Sequence, residues 1–292
     1  MKVLVTGSAG FIGGHVTRSL LAEGCEVTGY DVRKAGLENV NEVTGDLLDL
    51  DGLTAAVEGH DVICHIGAIG DVYLAAEQPG LAASVNVVGT SNIATAAKRN
   101  NARVVYASTW EVYGEPHYEP VDEAHPTNPD HPYNITKLGG EQMLLAAHRL
   151  QEVPAIALRL GTAYGLGMRT NSVFEIFIRR AMKGEPLTIQ GDGSQGRQFT
   201  HASDIGRAFA MATRSEAQGM ALNIVGKEMV TIKQLAEQVV SRYPTELTFG
   251  DPRPGDVPPS HVSADRAEEV LGWKAEMSFE DGMTELFEAP RD

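Results

Sequence analysis

Thr6-Gly7-Ser8-Ala9-Gly10-Phe11-Ile12-Gly13 is the stretch on which the fold turns. It follows a short β-rich run, Lys2–Thr6, and opens Gly10–Glu23, where Phe11, Val16, Leu20 and Leu21 fall at helical spacing. Glycines at every third position let the chain turn tightly and bring its backbone against a pyrophosphate. The helix N-terminus behind them offers free N–H groups and the positive end of a dipole. An ordinary tight β–α turn also uses glycine, but strand, glycine loop and helix in this order form the setting that dinucleotide binding requires.

Moving outward, the strand Glu26–Tyr30 ends at Asp31. A carboxylate there accepts hydrogen bonds from the adenosine ribose hydroxyls and repels a 2′-phosphate, so NAD is expected in preference to NADP. Arg33 either accommodates such a phosphate or is a solvated loop charge. A third strand, Glu42–Gly45, precedes Asp46-Leu47, which either caps a Leu50–Val57 segment or contacts the adenine. Asp61–Ile66, Arg103–Ser108 and Ala155–Leu160 read as further strands, with helices at Leu53–Glu58, Ala82–Arg99 and Tyr133–Leu150. Short apolar strands separated by helices predict an α/β, doubly wound parallel sheet of Rossmann type, covered on both faces.

After Gly161 the elements shorten: Val173–Lys183, Leu187–Gln190, Ala221–Val225 and Thr231–Arg242. Four prolines make Asp251–Pro259 a loop. The expected division is an NAD-binding domain over 1–165 with a segment returning at about 200–228. A smaller, interleaved substrate-binding α/β lobe takes 166–199 and 229–292.

Composition narrows the function classes. The 292 residues are 42% hydrophobic and 22% charged, ordinary for a globular chain with a buried core. Lysine and arginine number 24 against 39 acidic residues, a net charge of −15, which opposes binding to nucleic acid or an anionic membrane. Cys25 and Cys64 stand alone, without CxxC or Cys/His spacing, so neither a metal site nor a disulfide framework is expected. No signal-peptide pattern and no apolar run of spanning length is visible, so a cytoplasmic location is expected. The sequon Asn134-Ile135-Thr136 then has no secretory context.

Tyr133-Asn134-Ile135-Thr136-Lys137 places a phenol and an ammonium one helical turn apart. A free phenol is a poor base at neutral pH, and nearby positive charge makes the phenolate usable for proton transfer. Any surface helix can carry such a pair by chance. Downstream of a dinucleotide loop and of Ser108-Thr109, it points to catalysis.

These residues resemble the extended short-chain dehydrogenase/reductases, and among them the NAD-dependent nucleotide-sugar epimerase/dehydratase family. The resemblance runs nearly the whole length, through GDLLD at 45–49, HIGA at 65–68, NVVGT at 86–90, STWEVYG at 108–114, RLGTAYG at 159–165, GDGSQGRQF at 191–199 and RPGD at 253–256. It implies that Thr109 binds the sugar's reacting 4-hydroxyl, that Tyr133 takes its proton, and that Lys137 holds the nicotinamide ribose and depresses the phenol's pKa. By the same likeness Gly7, Phe11, Ile12, Asp31, Asp46 and Leu47 fall at cofactor-contact positions. Ile66, Ala68, Asn86 and Ser108 do so too, beside Gly10, Gly13 and Arg33 of the loop region. Arg197 and Arg253 match arginines that grip the nucleotide, and the family pairs the helices Ala82–Arg99 and Tyr133–Leu150 between subunits, implying a homodimer.

Three departures stand out. Thr162 replaces the usual substrate-binding Asn, and Gln198 replaces an Asp after the phosphate-contacting arginine. In Thr109-Trp110-Glu111, an indole stands where the Thr-Asp-Glu branch of the dehydratases carries its acid. An indole N–H only donates hydrogen bonds. The expected activity is therefore NAD-dependent 4-epimerisation of a nucleotide sugar of UDP type. The alternatives are a 4,6-dehydratase or decarboxylase using Glu111, or a non-catalytic dinucleotide-binding regulator. The presence of both Tyr133 and Lys137 counts against the regulator.

Overall fold

The computed structural model describes residues 1–252 and 260–291. Its first strands are β1 (Lys2–Thr6), β2 (Glu26–Asp31), β3 (Asn41–Thr44), β4 (Val62–His65), β5 (Arg103–Thr109) and β6 (Ala155–Leu160). β7 (Thr162–Tyr164), β8 (Leu187–Gln190) and β9 (Gly196–His201) come next, then β10 (Met220–Ile224), β11 (Met229–Thr231) and β12 (Leu247–Gly250). The central sheet has seven strands in the order β3-β2-β1-β4-β5-β6-β10, all parallel. The order reverses between β1 and β4, and open α/β sheets bind ligands outside the carboxyl ends of the strands at such a point. Two small sheets, β11-β9-β7 and β12-β8, lie apart from it.

Helices α1 (Phe11–Ala22), α2 (Leu50–Val57), α3 (Val72–Glu77), α4 (Pro79–Ala83), α5 (Gly89–Asn100) and α6 (Pro132–Gln151) accompany the first six strands. α7 (Val173–Met182), α8 (Ala202–Arg214), α9 (Ile232–Arg242), α10 (Asp265–Leu271) and α11 (Phe279–Glu288) follow. The period of two along each strand divides the core into two layers. Val3, Val5, Val105, Ile156 and Leu158 pack with Val16 and Leu20 of α1 and Phe209 of α8. Leu4, Ile63, Val104 and Tyr106 pack on the other face with Leu53, Ile93 and Leu144. A third cluster, with Tyr164, Phe174, Phe199 and the half-buried Phe279, ties α7 and α11 to the small sheet. The main core is thus sheet between helices, as the strand–helix alternation predicts.

Two expected boundaries move. Of the two extents expected for this helix, α2 takes Leu50–Val57 rather than Leu53–Glu58, because Asp49 caps it by accepting from the Gly52 N–H at 3.1 Å. Asp46 is therefore not its cap; its carboxylate accepts from Leu48 N–H at 3.0 Å. The single helix expected over Ala82–Arg99 is α4, a π turn at Ser84–Val88, and α5. The turn carries Asn86, a buried amide that bonds both backbone groups of Ile69 and the Thr136 hydroxyl, and hydrophobic spacing gives no sign of such a bulge. Of the expected loop Asp251–Pro259, residues 253–259 lie outside the described residues. Among the described residues no helix is long and apolar enough to cross a membrane, and no group of three or more metal-ligating side chains forms.

Candidate active site

The glycine loop follows β1 at the switch point, and its glycines answer to close backbone approach. Gly7 has φ +70°, and a Cβ there would lie 2.6 Å from the Gly67 nitrogen of the loop after β4. A Cβ on Gly13 would collide with the Gly7 carbonyl. Gly10, the N-cap of α1, has no side chain to occupy the first-turn N–H groups, leaving free donors aimed where a diphosphate would rest. Phe11 and Ile12 open the helix. Asp31 ends β2, its carboxylate accepting from Ala9 N–H at 3.1 Å, while the exposed Arg33 guanidinium donates to the Ala9 carbonyl at 3.0 Å. Both side chains therefore reach the glycine loop. Free helix N–H groups, backbone without side chains and a carboxylate at the end of β2 fit a dinucleotide.

The loop after β4 is held just as tightly. The Thr6 hydroxyl bonds His65 Nδ1 at 2.7 Å and accepts from the Gly67 N–H at 3.1 Å. The Thr90 hydroxyl donates to the Asn86 carbonyl at 2.6 Å, so its oxygen must accept from His65 Nε2–H at 3.0 Å. His65 is thus a neutral tautomer, its pKa pushed down to about 3 by burial and by the Lys137 charge. Ile66 and Ala68 lie half-buried in this loop. Leu47 is buried beneath it against Gly67 and Gly89, and Asp46 is exposed.

Thr109 ends β5 and Tyr133 opens α6, bringing the expected reacting groups to the carboxyl edge of the sheet. Thr109 caps the short turn Trp110–Tyr113, accepting from Glu111 N–H at 3.3 Å. Lys137 is 3% exposed, its ammonium 4.3 Å from the Tyr106 ring centre. Burial brings its pKa down to about 7 although the Glu141 carboxylate pulls the other way. The Tyr133 phenol is raised by burial and then by the Glu111 carboxylate; the cation that opposes this is Arg169. That differs from the expected effect of Lys137, whose charge is directed at Tyr106 and Glu141. Glu111 is half-buried, and burial raises its pKa against the pull of Arg197.

On the other side of the cleft, Thr162 is half-buried in β7 and Arg197 in β9. A small cavity is lined by Trp110, Gly161, Arg197, Gln198, Val225 and Val262. Gln198 explains its own departure from an Asp: its amide donates to the carbonyls of Gly226 and Val262 and accepts from Val262 N–H at 2.6 Å. A carboxylate could make only the last of these bonds. Arg253 lies outside the described residues.

Sequence reading missed several groups at this edge. Ser108, expected beside the cofactor, donates its hydroxyl to Glu141 at 2.6 Å. Glu141 also takes two bonds from Arg159, which donates to the Tyr113 hydroxyl, which in turn donates to Asn223. A lone arginine inside the apolar strand Ala-Ile-Ala-Leu-Arg-Leu was the available signal, since a buried cation needs a partner. Arg169 and Asp71 form a 2.6 Å ion pair that joins the loop after β7 to the start of α3.

This geometry defines a nicotinamide-dinucleotide enzyme of the short-chain dehydrogenase/reductase class. The model of the NAD dependent epimerase/dehydratase family matches residues 3–225, and the chain belongs to that family. It is 32% identical to the UDP-glucose 4-epimerase of Mycolicibacterium smegmatis, over 99% of this chain and 98% of that protein. It is 30% identical to the dTDP-glucose 4,6-dehydratase of Streptomyces niveus, over 100% of this chain and 93% of that one. The crystal structure of the Thermotoga maritima UDP-glucose 4-epimerase with UDP-glucose matches at a TM-score of 0.92 and 27% identity, covering 99% of this chain and 98% of that one. The protein is thus an NAD-dependent enzyme of the epimerase/dehydratase family, and its relatives carry out more than one of that family's reactions.

Proposed function

We propose that the protein epimerises a UDP-type nucleotide sugar at C4, through a 4-keto intermediate. The observation that carries this reading is Trp110. It places an indole, whose N–H is far too weak an acid to give up its proton, between Thr109 and Glu111, where a dehydratase of the Thr-Asp-Glu branch needs an acid. Epimerisation asks less of the chain. Thr109 orients the 4-hydroxyl, and the Tyr133 phenolate, which Lys137 and the positive nicotinamide ring of bound NAD would favour, accepts its proton and then returns it when the carbonyl is reduced on the opposite face. Lys137 binds the nicotinamide ribose and contributes positive charge to the pocket. NAD supplies the hydride acceptor for the first half and the donor for the second. Gly7, Gly10, Gly13 and Asp31 hold it, while Thr162, Arg197 and Arg253 hold the nucleotide sugar.

The matching arrangement of domains is an NAD-binding part over 1–165 with 200–228, and a substrate lobe over 166–199 and 229–292. Support comes from β10, which extends the main sheet after the chain has left it. We place the enzyme in the cytoplasm as a homodimer. Leu81, Val88, Ile135 and Met143 are exposed apolar side chains on α4, the π turn and α6, the helices expected to pair. Light scattering at micromolar concentration should give twice the chain mass, and a monomer would remove the dimer from the proposal.

A second reading, dehydration or decarboxylation, is favoured by one observation: the Glu111 carboxyl is close enough to Tyr133 to raise its pKa and is itself raised by burial, as a general base or acid should be. Incubation with UDP-, dTDP- and GDP-sugars separates the two readings by product mass. Unchanged mass with altered chromatographic mobility supports epimerisation. Loss of water or of carbon dioxide overturns it, and Tyr133→Phe should abolish whichever reaction is seen.

A further inference from the structure

The buried charges behind Thr109 form one continuous network that ends at the carboxyl edge of the sheet. Glu141 is fully buried on α6 and Arg159 nearly so on β6. The guanidinium grips the carboxylate through Nη2 at 2.6 Å and Nε at 3.1 Å. Arg159 then donates to the Tyr113 hydroxyl at 2.8 Å, and Tyr113 donates to Asn223 at 2.7 Å. Asn223 is fixed by Glu123, which accepts its N–H, and by the Ser263 carbonyl. β5, β6, β10, the Trp110–Tyr113 turn and the segment at Ser263 are thereby locked together. Replacing a buried ion pair by apolar side chains is often neutral or stabilising, so stability alone is a weak account of such a pair.

Two features turn the network toward the chemistry. Glu141 Oε2 accepts from Ser108 Oγ at 2.6 Å, which fixes the residue directly before Thr109. Glu141 also stands four residues after Lys137 on α6, one helical turn further on. The Lys137 ammonium also lies over the Tyr106 ring of β5 and its charge acts on His65 of β4, which is neutral, while Tyr133 stands one turn back on α6. Glu141 is the anion that opposes the effect of burial on the lysine.

We propose that Glu141 is a positioning residue of the active site, holding Ser108 and the end of β5 in place and keeping the buried Lys137 ammonium charged. This rests on the reading of Tyr133 and Lys137 as the catalytic pair. Its test therefore includes a measurement that needs no sugar: titration of the Lys137 side chain by its ¹³Cε resonance in the NAD-loaded protein, assigned through Lys137→Arg. Glu141→Gln should lower the lysine's proton affinity about tenfold, the smaller end of what a neighbouring opposite charge contributes. The alkaline fall of kcat should move to lower pH in step. Glu141→Asp should restore most of the titration, and Ser108→Ala should leave the midpoint where it was. Should Glu141→Gln not fold, because Arg159 is left unpaired, Arg159→Met keeps the Glu141 charge, removes the cation that competes for it, and should raise the lysine midpoint; an unchanged midpoint there also overturns the proposal.

An unchanged Lys137 midpoint on neutralising Glu141, or a shift equally large in Ser108→Ala, overturns the proposal. So does a loss of activity with no movement of the pH profile, which is what a purely structural role gives. Failure of the catalytic reading itself would look different: Tyr133→Phe would remain active while the lysine titration still responded to Glu141.

Discussion

Replacing Lys137 by Met should make the nucleotide-free protein more stable and inactive. The ammonium is 3% exposed, and burial brings its pKa from 10.5 to about 7. At about 1.4 kcal/mol per pH unit, carrying that charge costs the folded state on the order of 5 kcal/mol. Methionine keeps most of the stem's volume and has no charge. Glu141 is not orphaned, since Arg159 and Ser108 still bond it. The loss of the contact with Tyr106 sets the expected gain below that ceiling, at about 2–4 kcal/mol, or several degrees in Tm for a chain of this size. The pH dependence follows from which state holds the proton. Below about pH 7 both folded and unfolded lysines are protonated and the penalty is complete. Between about 7 and 10.5 only the unfolded lysine is protonated, so the native protein gains stability as pH rises and the penalty fades. Urea unfolding of both proteins at pH 6.5, 8.5 and 10 should therefore show a gap that is widest at pH 6.5 and nearly closed at pH 10. A variant no more stable than the parent at pH 6.5, or a gap indifferent to pH, would refute the reasoning.

NAD should bind more tightly than NADP in calorimetry, because the Asp31 carboxylate at the end of β2 opposes a 2′-phosphate; equal affinities would mean that Arg33, laid along the glycine loop, governs the pocket. Asp31→Ala should weaken NAD and narrow the difference between the two. Glu111→Gln should keep a substantial fraction of kcat if the reaction is epimerisation, since charge changes while shape does not. A loss of about 10²–10⁴-fold with NAD binding intact would mark Glu111 as a general base and favour the dehydratase or decarboxylase reading.

The parallel sheet was legible because its strands are short, apolar and spaced by helices, and because the glycine loop marks β1 and α1 unambiguously. Boundaries set by single hydrogen bonds were not. Asp49 rather than Asp46 starts α2, and with aspartates at 46, 49 and 51 the choice of cap hangs on a helix start that hydrophobic spacing does not pin down. The π turn at Ser84–Val88 was hidden for a similar reason, since one inserted residue barely disturbs the helical pattern while Asn86 finds its partners only in three dimensions. Tyr133, Lys137 and Thr109 could be picked out through motif and likeness. Their electrostatics could not, because burial dominates it: the phenol is raised and the ammonium lowered by the same desolvated pocket.

Two of the three departures from the family pattern share one wall of the site. Trp110 and Gln198 line a single small cavity together with Arg197, and each of these two departures changes what that wall can give to a substrate. Gln198 spends its amide on the backbones of Gly226 and Val262, so it adds no charge beside Arg197. Trp110 brings an apolar surface and an N–H too weakly acidic to transfer its proton. The wall thus carries a cation with no acid at the indole position. A site so built can hold an anionic nucleotide sugar, and Glu111 is the carboxyl left within reach of Tyr133. The choice between reactions therefore falls on one side chain, whose raised pKa suits it to trade protons and whose neighbour Trp110 cannot be its partner in doing so.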